Sequence, residues 1–417
     1  MLKDYPEHDA RLLVEEDDCA VKNLGLNPKI RNMSRAYREA KGDVVWIADC
    51  NVWLGRHACG RMVDRLLGSN VNGGSPGYKF VHHIPVAVDV SDDPKNGLTQ
   101  HGETYEDLPL LSASSTSSKT SRGRFGGRLD EAFLSSAHAK MYVAINTVAV
   151  APCICGKSSM FRRSHLNALT NEDQSVEMKS GSGIDFFSNN ICEDHLIGDL
   201  LWKTKVPPTV STVGRCWRNH GLIHGDIAFQ PIANMCVSNY IARRARWLRV
   251  RKYTVLLATL VEPGTESFLC SLYGAFGATT SQYTKHLFGN SWTSFALFWL
   301  ISISIWVCVD WKMYQLLHSG ATVDDNDSSV PEFVKPKTTS RRSFPSWLRA
   351  WLTREALALP VWTWAIWGGA TVVWRDKKLW VGMDMRVHEY DDDLTTDIGH
   401  NGFASSGTHS PGKMRQE

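Results

Sequence analysis

The sequence predicts an α/β domain followed by a membrane region. The apolar run Val44–Ala48 ends at Asp49, which is the pattern of a buried parallel strand with a polar group at its C-terminal end. Further along, residues 267–284 and 287–309 contain no Asp, Glu, Lys or Arg. A membrane-spanning helix needs about 20 largely apolar residues, so these stretches are long enough to enter a bilayer.

Charge and composition exclude several classes of protein. The 46 Lys and Arg residues nearly balance the 43 Asp and Glu residues, and the net charge of +3 argues against a nucleic-acid-binding protein. The 16 tryptophans fit a membrane protein, because tryptophan concentrates at membrane–water interfaces. The ten cysteines have no zinc-binding spacing, so we interpret them as reduced cytosolic thiols.

The first part of the chain has the pattern of one catalytic domain, which we expect to span residues 1–252. Residues 1–18 contain no apolar run, so they predict neither a signal peptide nor an anchor. Their pattern predicts a chain that begins partway into the domain. Residues 66–125 are rich in Gly, Ser, Asn and Pro and predict a flexible insertion, within which Lys79–Val88 is a candidate strand. Val143–Pro152 is also predicted as a strand.

A basic cluster separates this domain from a predicted membrane region at residues 253–375. The cluster directly precedes an apolar run and places the domain on the cytosolic side by the positive-inside rule. A third apolar run, Ala356–Trp374, raises the expected number of transmembrane helices to two or three. A polar loop is expected at about 318–344, and a polar, disordered tail at 376–417.

Asp49 is the first candidate functional residue. A carboxylate at a strand end can hold a divalent cation, and hard oxygen ligands favour Mg²⁺ or Mn²⁺. Such a cation can neutralise a nucleotide diphosphate. A strand-end aspartate can equally cap the turn that follows it. Asn51 stands where a second carboxylate would complete the motif, so this motif supplies one metal ligand.

Two further motifs follow Asp49 in the chain. Glu193-Asp194 opens a helix-like run, where one carboxylate could serve as a general base, although acidic pairs at a helix start often only complement the helix dipole. In Arg243-Arg244-Ala245-Arg246-Trp247, arginine forks suit phosphate oxygens and tryptophan offers a stacking face. The alternative for this motif is a topogenic basic patch beside a membrane helix.

In this order, the motifs resemble those of membrane-embedded, inverting glycosyltransferases, whose signature is a series of aspartates followed by (Q/R)xxRW. Within that group the sequence is most similar to the ceramide glucosyltransferase family (glucosylceramide synthases), in a fungal-type form. The matching segments lie in order along the chain: Asn27-Pro28-Lys29-Ile30, Trp46-Ile47-Ala48-Asp49, Ser136-Ala137-His138, Glu193-Asp194, Arg243-x-x-Arg246-Trp247, Glu262-Pro263 and Arg354-Glu355.

The resemblance implies a GT-A-type (Rossmann-like) nucleotide-sugar domain, incomplete at its N-terminus and without the family's usual anchor. It implies transfer of glucose from UDP-glucose to the primary hydroxyl of ceramide, with inversion, in a multi-pass protein of Golgi or ER/Golgi membranes whose catalytic domain faces the cytosol. Asp194 would be the catalytic base, and Asp49 would bind Mg²⁺ or Mn²⁺ and the diphosphate. The remaining implied substrate-binding residues are His138, Glu193, Arg243, Arg246 and Trp247.

Two other functions stay open at this point. The absence of the family's N-terminal half would also fit a catalytically inactive, truncated membrane protein of the same family. A related glycosyltransferase of polysaccharide-synthase type is a second alternative, although such enzymes usually carry QxxRW and more membrane spans. Arg243 in the first position of that motif and the Asn27–Ile30 segment favour the lipid acceptor. The oligomeric state is left open.

Overall fold

The structure is a computed structural model. It describes residues 6–14, 19–68, 76–91, 125–172, 181–208, 210, 217–324, 330–335, 340–374 and 377–390. The described helices are α1 Pro28–Glu39, α2 Ala58–Leu67, α3 Gly126–Leu134, α4 Ala137–Val148, α5 Arg163–Glu172, α6 Glu193–Lys203, α7 Val237–Arg251, α8 Leu256–Thr265, α9 Ser267–Thr280, α10 Lys285–Phe288, α11 Trp292–Leu317 and α12 Phe344–Trp367. The described strands are β1 Val44–Ala48, β2 Tyr78–Asp89, β3 Ser158–Arg162, β4 Arg218–Ile232, β5 Thr371–Trp374, β6 Lys377–Val381 and β7 Val387–Glu389.

A mixed four-stranded sheet forms the centre of the first domain. Its strand order is β1-β3-β2-β4, with β2 parallel to β4 and β3 antiparallel to both β1 and β2. Every residue of β2 is buried, and Phe80, Val86 and Val88 of this strand pack into two apolar clusters. The α/β prediction is therefore confirmed, in the form of a mixed sheet.

The first strand differs from its prediction. Val44–Ala48 is a strand, but it pairs antiparallel with β3 and its residues are only partly buried. A continuous apolar run suits a strand covered on both faces, yet here Val45 and Ile47 pack into one cluster while Val44 and Trp46 pack into another. Hydrophobicity alone does not encode strand direction, which is set by the partner strand.

The predicted insertion at residues 66–125 is interrupted by the central strand of the sheet. Tyr78–Asp89 lies inside that segment and forms β2, as the candidate strand at Lys79–Val88 predicted. The prediction of one continuous flexible insertion is therefore wrong for residues 76–91. The rest of the predicted insertion, 69–75 and 92–124, lies outside the described residues.

The predicted strand at Val143–Pro152 is a helix over most of its length. Residues 143–148 complete α4, and the chain turns at Ala149, whose φ is +57°. The β-branched residues of this segment favour a strand, but Ala139, Tyr142 and Asn146 have helical spacing and are buried. Burial of this helical face overrides the local preference.

One helix of the described chain is long and apolar enough to cross a membrane. This is α11, which has 26 residues, a mean hydropathy of 1.9 in its best window, and no buried residue in that window. Its C-terminal part contacts the first domain, where Asp310 Oδ1 lies 2.7 Å from Lys140 Nζ and the Tyr314 hydroxyl donates to Glu131 at 2.9 Å. The other two predicted spans, at residues 267–284 and Ala356–Trp374, contain no helix of the described chain that is long and apolar enough to cross a membrane.

The third predicted span, Ala356–Trp374, has a different structure. It forms the second half of α12 and then strand β5, with the helix ending at Trp367. Both ends of α12 contact the first domain. Before its start, Arg342 pairs with Glu131, and at its end Lys252 donates to the carbonyl of Ile366 at 2.8 Å. Hydropathy does not distinguish such a helix from a span.

The segments predicted as a polar loop and a disordered tail contain ordered parts. In the loop at 318–344, Val330, Phe333 and Val334 are buried in a cluster with Val86 and Val88 of β2. In the tail, β6 and β7 join β5 in an antiparallel sheet, so the prediction of disorder is wrong for residues 377–390. Apolar residues spaced two apart, such as Leu379 and Val381, bury one face of this sheet. Residues 391–417 lie outside the described residues.

Candidate active site

Asp49 lies at the edge where β1 ends and β3 begins. Because β1 and β3 run antiparallel, Ala48 pairs with Ser158, and the backbone N–H of Asp49 donates to the carbonyl of Lys157 at 3.1 Å. The same pairing brings the Lys157 ammonium to the Asp49 carboxylate, with 2.9 Å between Nζ and Oδ2. The strand direction thus gives Asp49 a lysine partner that is distant in sequence.

A capped helix start brings a second lysine to the same carboxylate. Asn27 is the N-cap of α1, and its side-chain oxygen accepts from the backbone N–H groups of Lys29 and Ile30 at 2.8 and 3.1 Å. Pro28 occupies the first helical turn, where its missing N–H costs nothing. This fixed start directs Lys29 Nζ to Asp49 Oδ1 at 3.1 Å and to Glu193 Oε1 at 3.2 Å.

Glu193 and Asp194 begin α6 and enter the same cluster. Glu193 is buried and accepts from the Asn27 side-chain amide at 2.9 Å through its second oxygen. Asp194 lies against Gly156, because a Cβ built on that glycine would meet Asp194 Oδ2 at 2.8 Å and Lys29 Nζ at 3.0 Å. The structure therefore gathers Asp49, Glu193 and Asp194 around Lys29.

The charges of this cluster shift the pKa values of its members. Burial would lower the pKa of Lys29, but the carboxylates of Glu193, Asp49 and Asp194 outweigh it and raise that pKa. Burial would raise the pKa of Asp49, but Lys157 and Lys29 lower it below its ordinary value. For Glu193, burial and the neighbouring Asp194 raise the pKa against the pull of Lys29. Asp49 is thus ionised at neutral pH.

The donor set does not fit a divalent metal as it is arranged. Each oxygen of the Asp49 carboxylate already accepts from an ammonium group, Oδ1 from Lys29 and Oδ2 from Lys157. Two unit charges of the same sign 4 Å apart repel by about 4 kcal/mol near a protein surface, and a divalent ion doubles that figure for each lysine. Within the described residues, no group of three or more His, Cys, Asp or Glu side chains is arranged to hold a metal. The metal at Asp49 stays a prediction.

Arg243 is buried inside the domain, away from solvent. Its Nε lies 3.6 Å from Asp130 Oδ2, and its Nη2 donates to the Gln230 side-chain oxygen at 3.3 Å. The guanidinium also stacks on Trp247, 4.7 Å from the ring centroid. These contacts give Arg243 the task of holding Trp247 in position. Arg246 is half-buried on the same helix, and its role in substrate binding stays a prediction.

The other cations of the predicted basic cluster also have partners within the protein. Arg244 and Arg251 both pair with Glu262 of α8. Arg249 donates to the carbonyls of Thr371 and Gly368 at 2.7 and 3.2 Å, just beyond the C-terminus of α12. Cations are favourable near a helix C-terminus, where carbonyl groups lack partners. The cluster thus joins α7 to α8 and α12.

His138 and Trp247 belong to one aromatic group beside the carboxylates. The His138 ring stacks on Tyr142 with 5.3 Å between centroids and lies 5.6 Å from Phe133, which in turn lies 6.4 Å from Trp247. Burial, followed by the charges of Arg244 and Arg251, lowers the pKa of His138 to about 3. His138 is therefore neutral at physiological pH and acts as part of an aromatic wall.

Cys155 lies between the carboxylate cluster and the arginine helix. Burial raises the pKa of its thiol to about 12, with Asp194 and Asp49 adding to the effect while Lys157 and Arg243 oppose it. All four charged groups therefore act on the same sulfur. Asp49, Glu193 and Asp194 therefore meet around Lys29, whereas Arg243, Trp247 and His138 belong to a separate group of arginine and aromatic side chains.

Sequence reasoning missed three functional side chains, namely Asn27, Lys29 and Lys157. The first two belong to the Asn27–Ile30 segment, where an Asn-Pro pair before a helical run is a recognisable capping signal. The signal gives the start of a helix and says nothing of where Lys29 points. Lys157 has no signal of its own, because its position depends on the antiparallel pairing of β1 and β3.

Comparison with known proteins identifies the family of this chain. The sequence profile of glycosyl transferase family 21 matches residues 1–91 and 110–387. The chain is 44% identical over 419 residues to the ceramide glucosyltransferase of Pyricularia oryzae, covering 97% of this chain and 76% of that protein. It is 44% identical over 410 residues to that of Gibberella zeae, covering 93% and 75%, and 31% identical over 451 residues to that of Candida albicans, covering 93% and 78%. The chain therefore belongs to glycosyl transferase family 21.

Proposed function

We propose that this protein transfers glucose from UDP-glucose to the primary hydroxyl of ceramide, forming glucosylceramide. Membership of family 21 and the fungal relatives named ceramide glucosyltransferase support this activity. The observation that carries the proposal is the convergence of Asp49 and Asp194, distant in sequence, on Lys29 at one edge of the sheet. At this edge a carboxylate can accept the proton of an acceptor hydroxyl. Lysine ammonium groups lie close by and can stabilise the negative charge of a leaving diphosphate.

Asp194 is the base in this reaction. The acceptor oxygen attacks the anomeric carbon of glucose on the face opposite the diphosphate, and its proton passes to the Asp194 carboxylate. The bond between that carbon and the β-phosphate oxygen breaks, and its electron pair leaves on UDP. A positioned general base contributes about 10²–10⁴-fold to the rate of such a step. Attack from the opposite face inverts the anomeric configuration.

Positive charge is needed where the diphosphate leaves. Groups already positioned at developing charge lower the barrier most, because they do not reorganise during the reaction. Lys29 and Lys157 lie at Asp49, on the leaving-group side, with 24% and 9% of their side chains exposed. Glu193 holds Lys29 in place from the opposite side.

The aromatic group forms the acceptor side of the site. We place the acceptor at the aromatic group of Trp247, Phe133 and His138, whose rings contact one another. An amphiphilic acceptor needs such a surface, because its headgroup must leave the bilayer while its chains stay in lipid. Arg243 binds no substrate directly in this proposal and supports Trp247 instead. Arg246, on the more exposed side of α7, contacts the substrate.

The membrane part consists of a helical hairpin of α9 and α11. These helices pack against each other, with the hydroxyls of Ser271 and Ser302 2.8 Å apart. The chain leaves the domain at α8 and returns to it at Lys140–Asp310, as a hairpin entering a bilayer would. Because both ends of α12 contact the domain, α12 lies along the membrane surface. The basic residues of α7 are typical of the cytosolic side, which agrees with a catalytic domain facing the cytosol in Golgi or ER/Golgi membranes.

The test uses the full chain in lipid nanodiscs with radiolabelled UDP-glucose and ceramide. We expect glucosylceramide, identified by mass spectrometry, and loss of that product in the Asp194→Asn variant. A chain that binds UDP but forms no glucosylceramide contradicts the proposal and favours an inactive member of the family. Formation of a water-soluble or insoluble glucan without ceramide would instead favour a polysaccharide synthase.

A further inference from the structure

Lys29 lies where a cation would lie in a metal-dependent site. Its Nζ has three oxygen neighbours, namely Asp49 Oδ1 at 3.1 Å, Glu193 Oε1 at 3.2 Å and the carbonyl oxygen of Gly156 at 3.3 Å. Carboxylate and carbonyl oxygens are the ligand types that hard divalent cations prefer. Here they surround an ammonium group at hydrogen-bond distances.

Lys157 completes the coverage of Asp49. Lys157 Nζ lies 2.9 Å from Asp49 Oδ2, the carboxylate oxygen that Lys29 does not contact. Only 9% of the Lys157 side chain is exposed. The backbone of Lys157 is itself paired with Asp49, so the register of β1 and β3 keeps the start of this side chain beside the carboxylate. Each carboxylate oxygen of Asp49 therefore already accepts from an ammonium group of the chain.

The position of Lys29 is fixed as firmly as that of a bound ion. Asn27 is fully buried and makes hydrogen bonds on both sides, to the start of α1 through its oxygen and to Glu193 through its nitrogen. Lys29 thus starts from a capped helix whose cap is bonded to one of the carboxylates that Lys29 pairs with. This closed arrangement positions a charge in advance of substrate binding.

The charges of the cluster explain why such cations are needed. Asp49, Glu193 and Asp194 would repel a diphosphate, and Lys29 and Lys157 are the cations in direct contact with the first two. We propose that the ammonium groups of Lys29 and Lys157 replace the divalent cation, so that a nucleoside-diphosphate donor binds and reacts here without one. This inference rests on the proposed function only in taking the donor to be a nucleoside diphosphate.

The first experiment measures binding on the full chain in nanodiscs. We expect no stoichiometric binding of Mn²⁺ by electron paramagnetic resonance, and UDP affinity that is the same in EDTA as in Mn²⁺. One Mn²⁺ bound per chain and lost in the Asp49→Asn variant would overturn the inference. So would a UDP affinity that falls tenfold or more in EDTA. Neither measurement depends on ceramide or on turnover.

The second experiment removes the charge of Lys29. In Lys29→Met we expect UDP affinity to fall at least tenfold and Mn²⁺ to bind, because Asp49, Glu193 and Asp194 then surround a site without its ammonium. Lys29→Arg keeps the charge and should keep UDP binding in EDTA. Lys203→Met is the matched control, since Lys203 is exposed on α6 and pairs only locally with Asp199. A Lys29→Met variant with unchanged UDP affinity would contradict the inference.

The outcomes separate this inference from the proposed function. UDP binding in EDTA together with no transfer to ceramide would leave the ammonium proposal standing and contradict the acceptor assignment. Transfer to ceramide that stops in EDTA and resumes with Mn²⁺ would support the acceptor assignment and overturn the ammonium proposal. If Lys29→Met does not fold, the wild-type measurements alone decide the question.

Discussion

The carboxylate of Asp194 and the ammonium of Lys29 close around one point, the position that a Cβ on Gly156 would occupy. That point is 2.8 Å from Asp194 Oδ2 and 3.0 Å from Lys29 Nζ. Only glycine leaves room for both groups at once. The small residue before β3 therefore sets how closely the base and the cation can approach each other.

Gly156→Ala should lower kcat while the protein stays folded. The added methyl group displaces Asp194 and Lys29 from their shared position, and displacements of about 1 Å at a reacting centre can cost about 10²-fold in rate. The measurement is steady-state transfer together with thermal unfolding. Gly60→Ala is the control, because nothing lies within 4 Å of a Cβ at Gly60 on α2. Equal activity of the two variants would contradict the steric role of Gly156.

Asp194→Asn should reduce turnover by about 10²–10⁴-fold and leave UDP binding intact, because it removes the proton acceptor and keeps the shape of the side chain. Turnover and UDP affinity are measured on the same preparation. The matched control is Asp199→Asn on the same helix, whose carboxylate pairs with the exposed Lys203. Near-normal turnover in Asp194→Asn would remove that residue from the role of base.

Arg243→Ala should destabilise the protein more than it changes donor affinity. The substitution removes the guanidinium beside buried Asp130 and the support under Trp247, and breaking a buried ion pair typically costs about 3–5 kcal/mol. Thermal unfolding in nanodiscs gives the stability, and UDP titration gives the affinity. If the variant unfolds at the wild-type temperature but loses UDP, Arg243 is a donor ligand, as the sequence motif had suggested.

The free energy of unfolding should fall as the pH drops from about 6.5 towards 4. Burial lowers the pKa of His83 and of His165 to about 4, and that of His138 to about 3. The unfolded chain therefore binds protons that the folded protein excludes, and stability rises with pH across this interval. Melting temperatures measured between these pH values test the slope. His83→Asn, which can keep a bond to Ser158, should make the slope shallower, and an unchanged slope would contradict the assignment.

Local sequence pattern identifies the clustered carboxylates more readily than the cations that contact them. Asp49, Glu193 and Asp194 stand out because they follow a strand or begin a helix, and local pattern suffices to find them. Lys157 could not be found in this way, since its role depends on the direction of β3 relative to β1. Arginine is a common phosphate ligand, which is why the sequence predicts that role for Arg243. Its burial beside Asp130 results from the packing of the whole domain and cannot be predicted from the local sequence.

The prediction of the fold is correct where an apolar pattern extends over many residues. It is wrong where burial of a helix or strand overrides the local preference of its residues. The strand Lys79–Val88 and the apolar helix within residues 287–309 both have unambiguous patterns. Four of the six residues 143–148 are β-branched, yet the segment is helical because α4 buries Tyr142 and Asn146 at helical spacing. Strands β6 and β7 are too short and too polar to be recognised before their packing partners are known.

The C-terminal sheet reaches back to the loop that precedes the base. Val387 donates its backbone N–H to the carbonyl of Asn189 at 2.8 Å, and Asn190 donates to the carbonyl of Met385 at 2.9 Å. A nascent chain emerges from the ribosome N-terminus first. The loop at Asn189 and Asn190 can therefore bond to Met385 and Val387 only after the apolar helices have been synthesised. The start of α6, which carries Glu193 and Asp194, is therefore completed late in synthesis of the chain.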